Sequence, residues 1–201
     1  MDSNPEALSN PFMGENDERP TGRAALVLLD LQPIFLNTIG DGETVLRRCC
    51  FAAEAARLLG LSVLLTQQVP EKLGTLHAKI AEAAGDAPVI DKSTFSAMRS
   101  GKLAEDILTA QEIDHLLIGG VETPICVYQT AIEAMSEQYA VTLLSDCLGC
   151  RRPADGDAAL TYLAAENDCH LLPTETVFYS LLGSADHPKF REFSELVKRY
   201  R

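Results

Sequence analysis

The sequence predicts an α/β fold of three layers, in which a mainly parallel sheet of six strands lies between helices. Six short runs rich in Val, Leu and Ile recur along the chain, at residues 24–29, 62–66, 88–91, 115–118, 141–145 and 170–172. Longer Ala-, Leu- and Glu-rich segments, such as residues 45–59 and 158–166, have apolar residues three and four positions apart, which is typical of helices. Because continuous apolar strands are buried on both faces and strands joined through helices run parallel, this alternation indicates a parallel sheet covered by helices.

The length and composition are those of one ordinary domain. The chain has 201 residues, 46% of them hydrophobic, which is enough to form one buried core. Residues 1–22 contain three prolines and several acids, and they lack the basic start and apolar centre of a secretory signal. We therefore expect a flexible N-terminal lead-in over residues 1–22 and a single domain over residues 23–201.

The charge and the cysteine content limit the partners and the compartment. The formal net charge is -12, so the surface should repel nucleic acid and anionic lipid. The apolar run at residues 24–29 ends at Asp30, far short of the roughly 20 residues that span a bilayer. Six cysteines in a chain of this size, with no export signal, favour a reducing cytoplasm. We expect a cytoplasmic protein that binds neither nucleic acid nor membrane.

Several polar residues follow the predicted strands, where the ligands of parallel sheets bind. Asp30 follows the first strand, Lys92 lies at the end of the third, and residues 119–122 (GGVE) close the fourth. The fifth strand is predicted to end in Ser145-Asp146-Cys147. A carboxylate, an amine and the cysteine that follows the fourth strand therefore share one edge of the predicted sheet.

Cys126 follows the fourth strand in what reads as the first turn of a helix. Thr123 is a suitable N-cap and Pro124 suits the first helical position, which would make Cys126 the third helical residue. The helix dipole there favours a thiolate and lowers the thiol pKa, and unpaired backbone N–H groups can bind an oxyanion. The alternative is a small buried hydrophobic residue, which is what most free cysteines are.

A cysteine nucleophile also needs a base and usually a nearby cation. Asp30 could be the base, or only a helix cap or turn former. Lys92 could be the cation, or only an ordinary solvated lysine. The coincidence of three candidates at one edge favours a catalytic interpretation.

Three motifs resemble those of the isochorismatase-like cysteine hydrolases, the superfamily that includes nicotinamidases and N-carbamoylsarcosine amidase. They are LLDLQ at residues 28–32, DKSTFS at residues 91–96 and GGVETPICV at residues 119–127. The resemblance covers nearly everything from Ala24 onward and implies a Rossmann-like hydrolase fold. TQQVPEKLG (66–74) and LGSADHPKF (182–190) resemble the small isochorismatase-domain proteins, whose physiological substrates are mostly unassigned.

The resemblance implies a role for each site residue. Cys126 would be the nucleophile, Asp30 the base that takes its proton, and Lys92 the cation that favours the thiolate. Attack on an amide carbonyl of a small molecule would expel ammonia or an amine and leave a thioester, which water hydrolyses. A cis peptide between Val121 and Glu122 would aim the backbone N–H of Glu122, with that of Cys126, at the oxyanion.

The sequence departs from the nicotinamidase pattern in the region that binds metal. Nicotinamidases have an Asp and paired His residues after the second strand, whereas this chain has Gln67-Gln68-Val69, and the nearest histidine, His77, is isolated. We therefore expect no metal ion and no cofactor, and a substrate other than nicotinamide. The presence of Cys126 favours acyl chemistry over the vinyl-ether cleavage of true isochorismatases.

Further predictions concern the surroundings of the site. Phe35 and Phe95 are candidates for lining the pocket, although most phenylalanines belong to the core. Cys147 and Cys150 have a Cys-x-x-Cys spacing, but no second pair completes a zinc site and no helix opens there as in thioredoxins. A homo-oligomer is expected, with apolar helices after strands four and five at the interface. The alternative function is a small-molecule-binding or redox-responsive thiol protein without turnover.

Overall fold

The computed structural model describes residues 24–100, 108 and 112–201, and the N-terminal lead-in predicted over residues 1–22 lies outside them. Six strands form one sheet, in the order β3-β2-β1-β4-β5-β6, and every pair of neighbours runs parallel. The strands are β1 (Ala24–Leu29), β2 (Ser62–Gln68), β3 (Val89–Lys92), β4 (His115–Val121), β5 (Ala140–Gly149) and β6 (Cys169–Leu172). The predicted six-stranded α/β fold is confirmed.

Helices cover both faces of the sheet and complete the three layers. They are α1 (Pro33–Leu36), α2 (Gly42–Leu58), α3 (Pro70–Leu73), α4 (Ala78–Ala84), α5 (Tyr128–Ser136), α6 (Pro153–Leu163), α7 (Thr174–Leu182) and α8 (Phe190–Arg199). Leu26 and Leu28 of β1 pack toward the face that holds α2, α4, α7 and α8. Val27 and Leu29 pack toward the opposite face, where α5 and α6 lie. Burial of β1 on both faces explains its unbroken apolar sequence.

Helix α6 begins earlier than the helix predicted at residues 158–166. Its first residue is Pro153, whose fixed backbone angle and missing N–H suit the start of a helix. Asp155 adds a negative charge to the first turn, where the helix dipole favours it. Because the first turn is polar, the spacing of apolar residues predicted only the later part of the helix.

Strand β5 is longer than predicted. It continues to Gly149, beyond the expected end at Ser145-Asp146-Cys147, so Cys147 lies inside the strand and is fully buried. The pairing between β4 and β5 shifts register between Ile118 and Gly120, which marks a bulge. The polar residues at 145 and 146 interrupt the apolar run at this irregularity, and the strand resumes after it.

None of the helices in the described ranges is long and apolar enough to cross a bilayer. The predicted cytoplasmic location stays a prediction.

Gly120 allows β1 and β4 to approach each other at the end of the sheet. Its φ is 123°, and a Cβ atom at this position would collide with the backbone of Leu29. Neither strand can move aside without breaking the ladder of hydrogen bonds between them. A side chain at residue 120 would therefore disrupt the edge of the sheet where Asp30 begins.

We expect Gly120→Ala to lower the free energy of unfolding by about 2–6 kcal/mol, because backbone strain and overpacking add. Gly40→Ala is the matched control, since a Cβ at the exposed Gly40 meets nothing within 4 Å. The control should change stability by less than about 0.5 kcal/mol. Chemical denaturation of both variants tests this, and equal stability of the two would contradict it.

Candidate active site

A cavity of about 380 Å³ opens at the carboxyl ends of the strands, next to β1 and β4. This is the point where the strand order reverses, and crevices of parallel sheets form there. Residues on its wall come from the ends of five strands and the segments after them: Asp30, Ile34, Phe35, Thr38, Gln68, Phe95, Val121, Glu122, Ile125, Cys126 and Arg151. The size suits a small molecule.

Asp30 is buried at the floor of this cavity. Its φ is 54°, a left-handed conformation that Asp tolerates better than most residues. Its backbone N–H donates to the carbonyl of Thr66, and its Oδ1 accepts a 2.8 Å hydrogen bond from the Thr66 hydroxyl. Its Oδ2 accepts a 2.6 Å hydrogen bond from Lys92. The carboxylate is therefore held by both of its oxygens.

Lys92 is a buried cation, so the alternative of an ordinary solvated lysine is wrong. Its side chain is 0% exposed, and that of Asp30 is 1% exposed. Besides the Asp30 carboxylate, its Nζ donates to Gln68 Oε1 at 2.6 Å and to the carbonyls of Thr94 and Phe95 at 3.2 Å each. These oxygens offset the cost of taking the ammonium out of water.

Gln68 was missed as a site residue in the sequence analysis, where it counted only against a metal motif. Its Oε1 accepts from Lys92, its Nε2 donates to the Ser93 carbonyl at 3.1 Å, and its backbone N–H donates to Gln32 Oε1 at 2.7 Å. Gln32 returns a 3.1 Å hydrogen bond to the Gln68 carbonyl. The pattern that could have revealed it is two glutamines ending an apolar strand, where one side chain must face inward.

Cys126 lies in a π-helical turn, Thr123–Val127, that leads into α5. The predicted cap is wrong: Glu122 is the capping residue, so Cys126 is the fourth residue of the turn rather than the third. The Thr123 hydroxyl donates instead to the carbonyl of Gly149 at 3.1 Å. The unforeseen length of β5 places this carbonyl within reach of Thr123.

The Cys126 thiol contacts both partners proposed from the sequence. Lys92 Nζ lies 3.8 Å from its sulfur, and the Asp30 carboxylate is near enough to raise the pKa of the thiol. The backbone N–H of Glu122 acts to lower the pKa of the thiol, and the Val121–Glu122 peptide bond is cis. The structure thus brings Asp30, Lys92 and Cys126 together.

The predicted lowering of the Cys126 pKa is wrong. Burial of the thiol, followed by the negative charge of Asp30, raises its pKa to about 12. The charge of Lys92 and the N–H of Glu122 act in the opposite direction but are outweighed. The thiol is therefore protonated at neutral pH, and a nucleophilic sulfur requires transfer of its proton.

Comparison with known proteins identifies the family. Residues 24–175 match the isochorismatase domain. The chain belongs to the isochorismatase-domain family.

A relative named for the same domain agrees with this assignment, and two solved structures share the fold. Isochorismatase domain-containing protein 2 of Xenopus laevis is 27% identical over 174 residues, which cover 87% of this chain and 83% of that protein. A structure described as the MAR1 ribonuclease of Caenorhabditis elegans has a TM-score of 0.80, 26% identity and coverage of 89% and 91%. The YcaC product of Escherichia coli, described as an octameric hydrolase of unknown specificity, has a TM-score of 0.76, 20% identity and coverage of 90% and 94%.

Glu122 connects the cysteine turn of this isochorismatase-family chain to the end of β5. Its Oε1 accepts a 2.8 Å hydrogen bond from Arg151 Nε, and its Oε2 accepts a 3.3 Å hydrogen bond from the Arg151 backbone N–H. The Glu122 side chain is 9% exposed, whereas that of Arg151 is 58% exposed. The pair was not foreseen from the sequence, because β5 was expected to end at residues 145–147 and not at Gly149.

Apolar side chains form the walls around the thiol. Phe35 and Phe95 both line the cavity, together with Ile34 and Ile125. Phe35 also packs against the core, whereas Phe95 is 54% exposed and is no core residue. A ligand in this cavity would contact hydrocarbon on several sides.

The Cys-x-x-Cys pair does not form a bonded unit. All six cysteines are free. The Cys147 sulfur lies 3.2 Å from the Thr174 hydroxyl, and the Cys150 thiol donates to the Arg152 carbonyl. No group of three His, Cys, Asp or Glu side chains suited to a metal ion occurs within the described residues. The expectation of no metal ion stays a prediction.

A larger cavity, of about 430 Å³, lies between α2, α4 and Tyr200. Its lining includes Cys50, whose thiol pKa is raised to about 12 by burial and then by the charge of Glu54. Glu54 is itself engaged by Tyr200 and Arg199. The cavity at Cys126, where a buried carboxylate and a buried ammonium both act on the thiol, is the better candidate for catalysis.

Two substitutions should move the Cys126 pKa in opposite directions. Asp30→Asn removes a charge that raises this pKa, so alkylation by iodoacetamide at mildly alkaline pH should accelerate about tenfold for each pKa unit of decrease. Lys92→Met removes a charge that lowers the pKa, so alkylation should slow. Mass spectrometry can follow the labelling of each cysteine.

Cys150, which is half-buried, is the internal reference and should react at the same rate in all three chains. Faster labelling of Cys126 in Lys92→Met than in Asp30→Asn would contradict the electrostatic account.

Proposed function

We propose that the protein is a metal-independent cysteine hydrolase that cleaves an amide-type C–N bond of a small molecule through Cys126, Asp30 and Lys92. One observation carries the proposal: a buried thiol lies 3.8 Å from a buried ammonium that is ion-paired with a buried carboxylate, beside a cavity of suitable size. The membership of the isochorismatase family supports a hydrolase. The bond type and the roles of the three residues are our inference.

In the first half of the reaction, Asp30 takes the thiol proton as the Cys126 sulfur attacks the carbonyl carbon. A carbon–sulfur bond forms, and the carbonyl oxygen becomes an oxyanion. When this intermediate collapses, the C–N bond breaks and the proton held by Asp30 passes to the leaving nitrogen. Ammonia or an amine departs, and a thioester remains on Cys126.

In the second half, water attacks the thioester carbon while Asp30 accepts one of its protons. The carbon–sulfur bond then breaks, the carboxylic acid leaves, and the proton returns to the Cys126 sulfur. Each proton that Asp30 accepts is given back, so the chain returns to its resting state without another reactant.

Backbone N–H groups of Glu122 and Cys126 are the proposed donors to the oxyanion. The Glu122 N–H lowers the pKa of the Cys126 thiol, so it already acts on the reacting sulfur. Such donors gain strength in a site that excludes water. Lys92 adds a fixed positive charge 3.8 Å from the sulfur, which stabilises the negative charge that develops there.

Gln68 supports a reaction without a metal ion. In the region after the second strand, nicotinamidases have metal ligands. In this chain Gln68 lies there and binds Lys92 and Ser93. The amide oxygen of Gln68 accepts from the Lys92 ammonium. This ammonium supplies the positive charge next to Asp30 that a metal ion would otherwise supply.

A ribonuclease activity, named for the Caenorhabditis elegans structure, is not favoured here. The formal net charge of this chain is -12, and Arg151 is the one cation on the cavity wall among the described residues. An RNA backbone requires several positive charges along its path. The favoured partner is therefore a small molecule.

The second candidate function is that of a small-molecule-binding or redox-responsive thiol protein, which would use the cavity without turnover.

Cys126→Ala should abolish hydrolysis of any small amide that the wild-type chain cleaves, with a loss of at least about a thousandfold in kcat. A panel of primary and secondary amides, assayed for released ammonia or amine, is the measurement. Cys150→Ala is the matched control and should retain activity. Chelation with EDTA should leave the rate unchanged.

Undiminished product release by Cys126→Ala would refute the cysteine mechanism. Saturable binding of amides without any product would favour the second candidate function.

We also propose that the chain forms a homo-oligomer through α5 and α6. Tyr128 and Tyr162 pack edge to face across these helices at 5.9 Å, and Tyr162 is 54% exposed, as expected for a side chain that a second copy would cover. The Escherichia coli neighbour is described as an octamer.

Sedimentation velocity at micromolar concentration should show a species larger than one chain, and Tyr162→Glu should shift the distribution toward monomer. A wild-type protein that sediments only as a monomer would overturn this proposal.

A further inference from the structure

Thr130 is a buried polar residue that the proposed mechanism does not use. It is the third residue of α5, four positions after Cys126, and it is 0% exposed. Its hydroxyl donates a 2.7 Å hydrogen bond to the Cys126 carbonyl. The same oxygen accepts a 3.0 Å hydrogen bond from the backbone N–H of Ala97, 33 residues away in sequence. One hydroxyl therefore joins the backbone of the proposed nucleophile to a distant segment of the chain.

The bond from Thr130 to Cys126 alone has a local explanation, because a threonine in a helix often donates to the carbonyl four residues earlier. The bond from Ala97 is not local. A hydroxyl has a single proton, and that of Thr130 is committed to the Cys126 carbonyl, so the oxygen can only accept from Ala97. The hydroxyl is therefore held from two sides, and it connects Ala97 to the cysteine turn (Thr123–Val127).

The segment that ends at Ala97 also holds Lys92. Residues 93–97, the lysine loop, include the carbonyls of Thr94 and Phe95, each 3.2 Å from Lys92 Nζ. Ala97 is 0% exposed, so its N–H depends on the Thr130 hydroxyl rather than on water as a partner. Thr130 thus attaches the end of the lysine loop to the turn that carries the sulfur.

Two anchors hold the lysine loop from opposite sides. Gln68, at the end of β2, donates to the Ser93 carbonyl at the start of the loop. Thr130, in α5, accepts from Ala97 at its end. The 3.8 Å contact between Lys92 Nζ and the cysteine sulfur lies between these anchors. Because this contact is long for a hydrogen bond, it holds the two groups together less firmly than the anchors do.

We propose that Thr130 is a positioning residue, which fixes the cysteine turn to the lysine loop and thereby sets the distance between the Lys92 ammonium and the Cys126 sulfur. Its effect on this distance stands on hydrogen bonds alone, whereas its effect on turnover rests on the proposed hydrolase function. The attraction between the ammonium and a negative sulfur weakens when the two groups separate and when water enters between them. A chain without the Thr130 hydroxyl should therefore lose part of the stabilisation that Lys92 provides.

Three substitutions test this role. Thr130→Val removes the hydroxyl and nearly keeps the shape, and Thr130→Ser restores the hydroxyl. Thr142→Val is the matched control, because Thr142 is also 0% exposed and its hydroxyl lies 2.9 Å from His115 Nε2. Thr142 lies in the amino-terminal half of β5 and does not line the cavity. Thermal denaturation of each variant verifies folding.

The first measurement is the influence of Lys92 on the reactivity of Cys126. Labelling of Cys126 by iodoacetamide at mildly alkaline pH is followed by mass spectrometry with and without Lys92→Met, and Cys150 is the internal reference. In the unsubstituted chain, Lys92→Met should slow this labelling about tenfold or more. In Thr130→Val, the factor by which Lys92→Met slows labelling should be at least about threefold smaller.

Each factor compares two chains with the same residue 130, so a change in access to the thiol caused by Thr130→Val cancels. Thr130→Ser and Thr142→Val should keep the factor of the unsubstituted chain. A factor that Thr130→Val leaves unchanged, or that Thr142→Val reduces equally, would overturn the proposal.

Hydrogen exchange provides a second measurement that does not require Lys92→Met to fold. In Thr130→Val, backbone amides should exchange faster both in residues 93–98 and in residues 123–127, because the proposed link between these segments is lost. Exchange in Thr130→Ser and Thr142→Val should match that of the unsubstituted chain. Faster exchange in only one of the two segments would show that the hydroxyl does not couple them and would contradict the proposal.

Hydrolysis separates the positioning role from the hydrolase function. For any amide that the unsubstituted chain cleaves, Thr130→Val should lower kcat about three- to tenfold with little change in KM, because Lys92 acts on charge that develops during attack. Thr130→Ser should restore kcat. A reduced Lys92 factor in Thr130→Val, in a chain that cleaves no amide, would support the positioning role and contradict the hydrolase. Full kcat in Thr130→Val would support the hydrolase and contradict the positioning role.

Discussion

The ion pair between Lys92 and Asp30 is the constraint on which the rest of the site depends. An ammonium and a carboxylate that are both removed from water are stable only if their remaining hydrogen-bonding capacity is also satisfied. Here Lys92 donates hydrogen bonds to Asp30 after β1, to Gln68 at the end of β2 and to two carbonyls after β3. The pair therefore ties the carboxyl ends of three adjacent strands together and leaves the cation with little freedom to move.

The same pair determines the state of the cysteine. Proximity to an ammonium suggests a stable thiolate, yet burial and the charge of Asp30 outweigh Lys92 and the Glu122 N–H, and the Cys126 pKa rises to about 12. The resting site thus contains a neutral thiol beside a balanced pair of charges. Transfer of the thiol proton to Asp30 moves the negative charge to sulfur without changing the net charge of the site. In a medium that excludes water, such a transfer requires less reorganisation than the formation of a new charge.

The positions of the site residues could be predicted from the sequence, because the direction of a parallel strand decides which residue emerges at its carboxyl end. Asp30, Lys92 and Cys126 were placed at one edge from their positions after apolar runs, and they meet there. Gln68 could not be chosen over Gln67 in this way, since the choice depends on the register of β2 against β3, in which Gln68 pairs with Lys92. The sign of the Cys126 pKa shift depends on how deeply the thiol is buried. The sequence pattern that marks the start of a helix gives no information on this depth. The predicted cap at Thr123 is wrong because its hydroxyl donates instead to the Gly149 carbonyl of β5, which is distant in sequence.

Strand β5 positions the other half of the site. Its Gly149 carbonyl binds the Thr123 hydroxyl, and Arg151, just beyond its end, binds the Glu122 side chain, so the backbone that carries the proposed oxyanion donors is attached to β5. The base and the cation, in contrast, are attached to β1, β2 and β3. The two halves meet where β1 packs against β4, and Gly119 and Gly120 permit that contact. A Cβ at either position would collide with β1, and a Cβ at Gly119 would also collide with Cys147. The distance between the sulfur and its proton acceptor is therefore fixed by backbone packing between two strands rather than by a flexible loop. A hydrolase whose proton transfer must precede or accompany attack benefits from such rigidity, since small displacements of reacting groups reduce rates strongly.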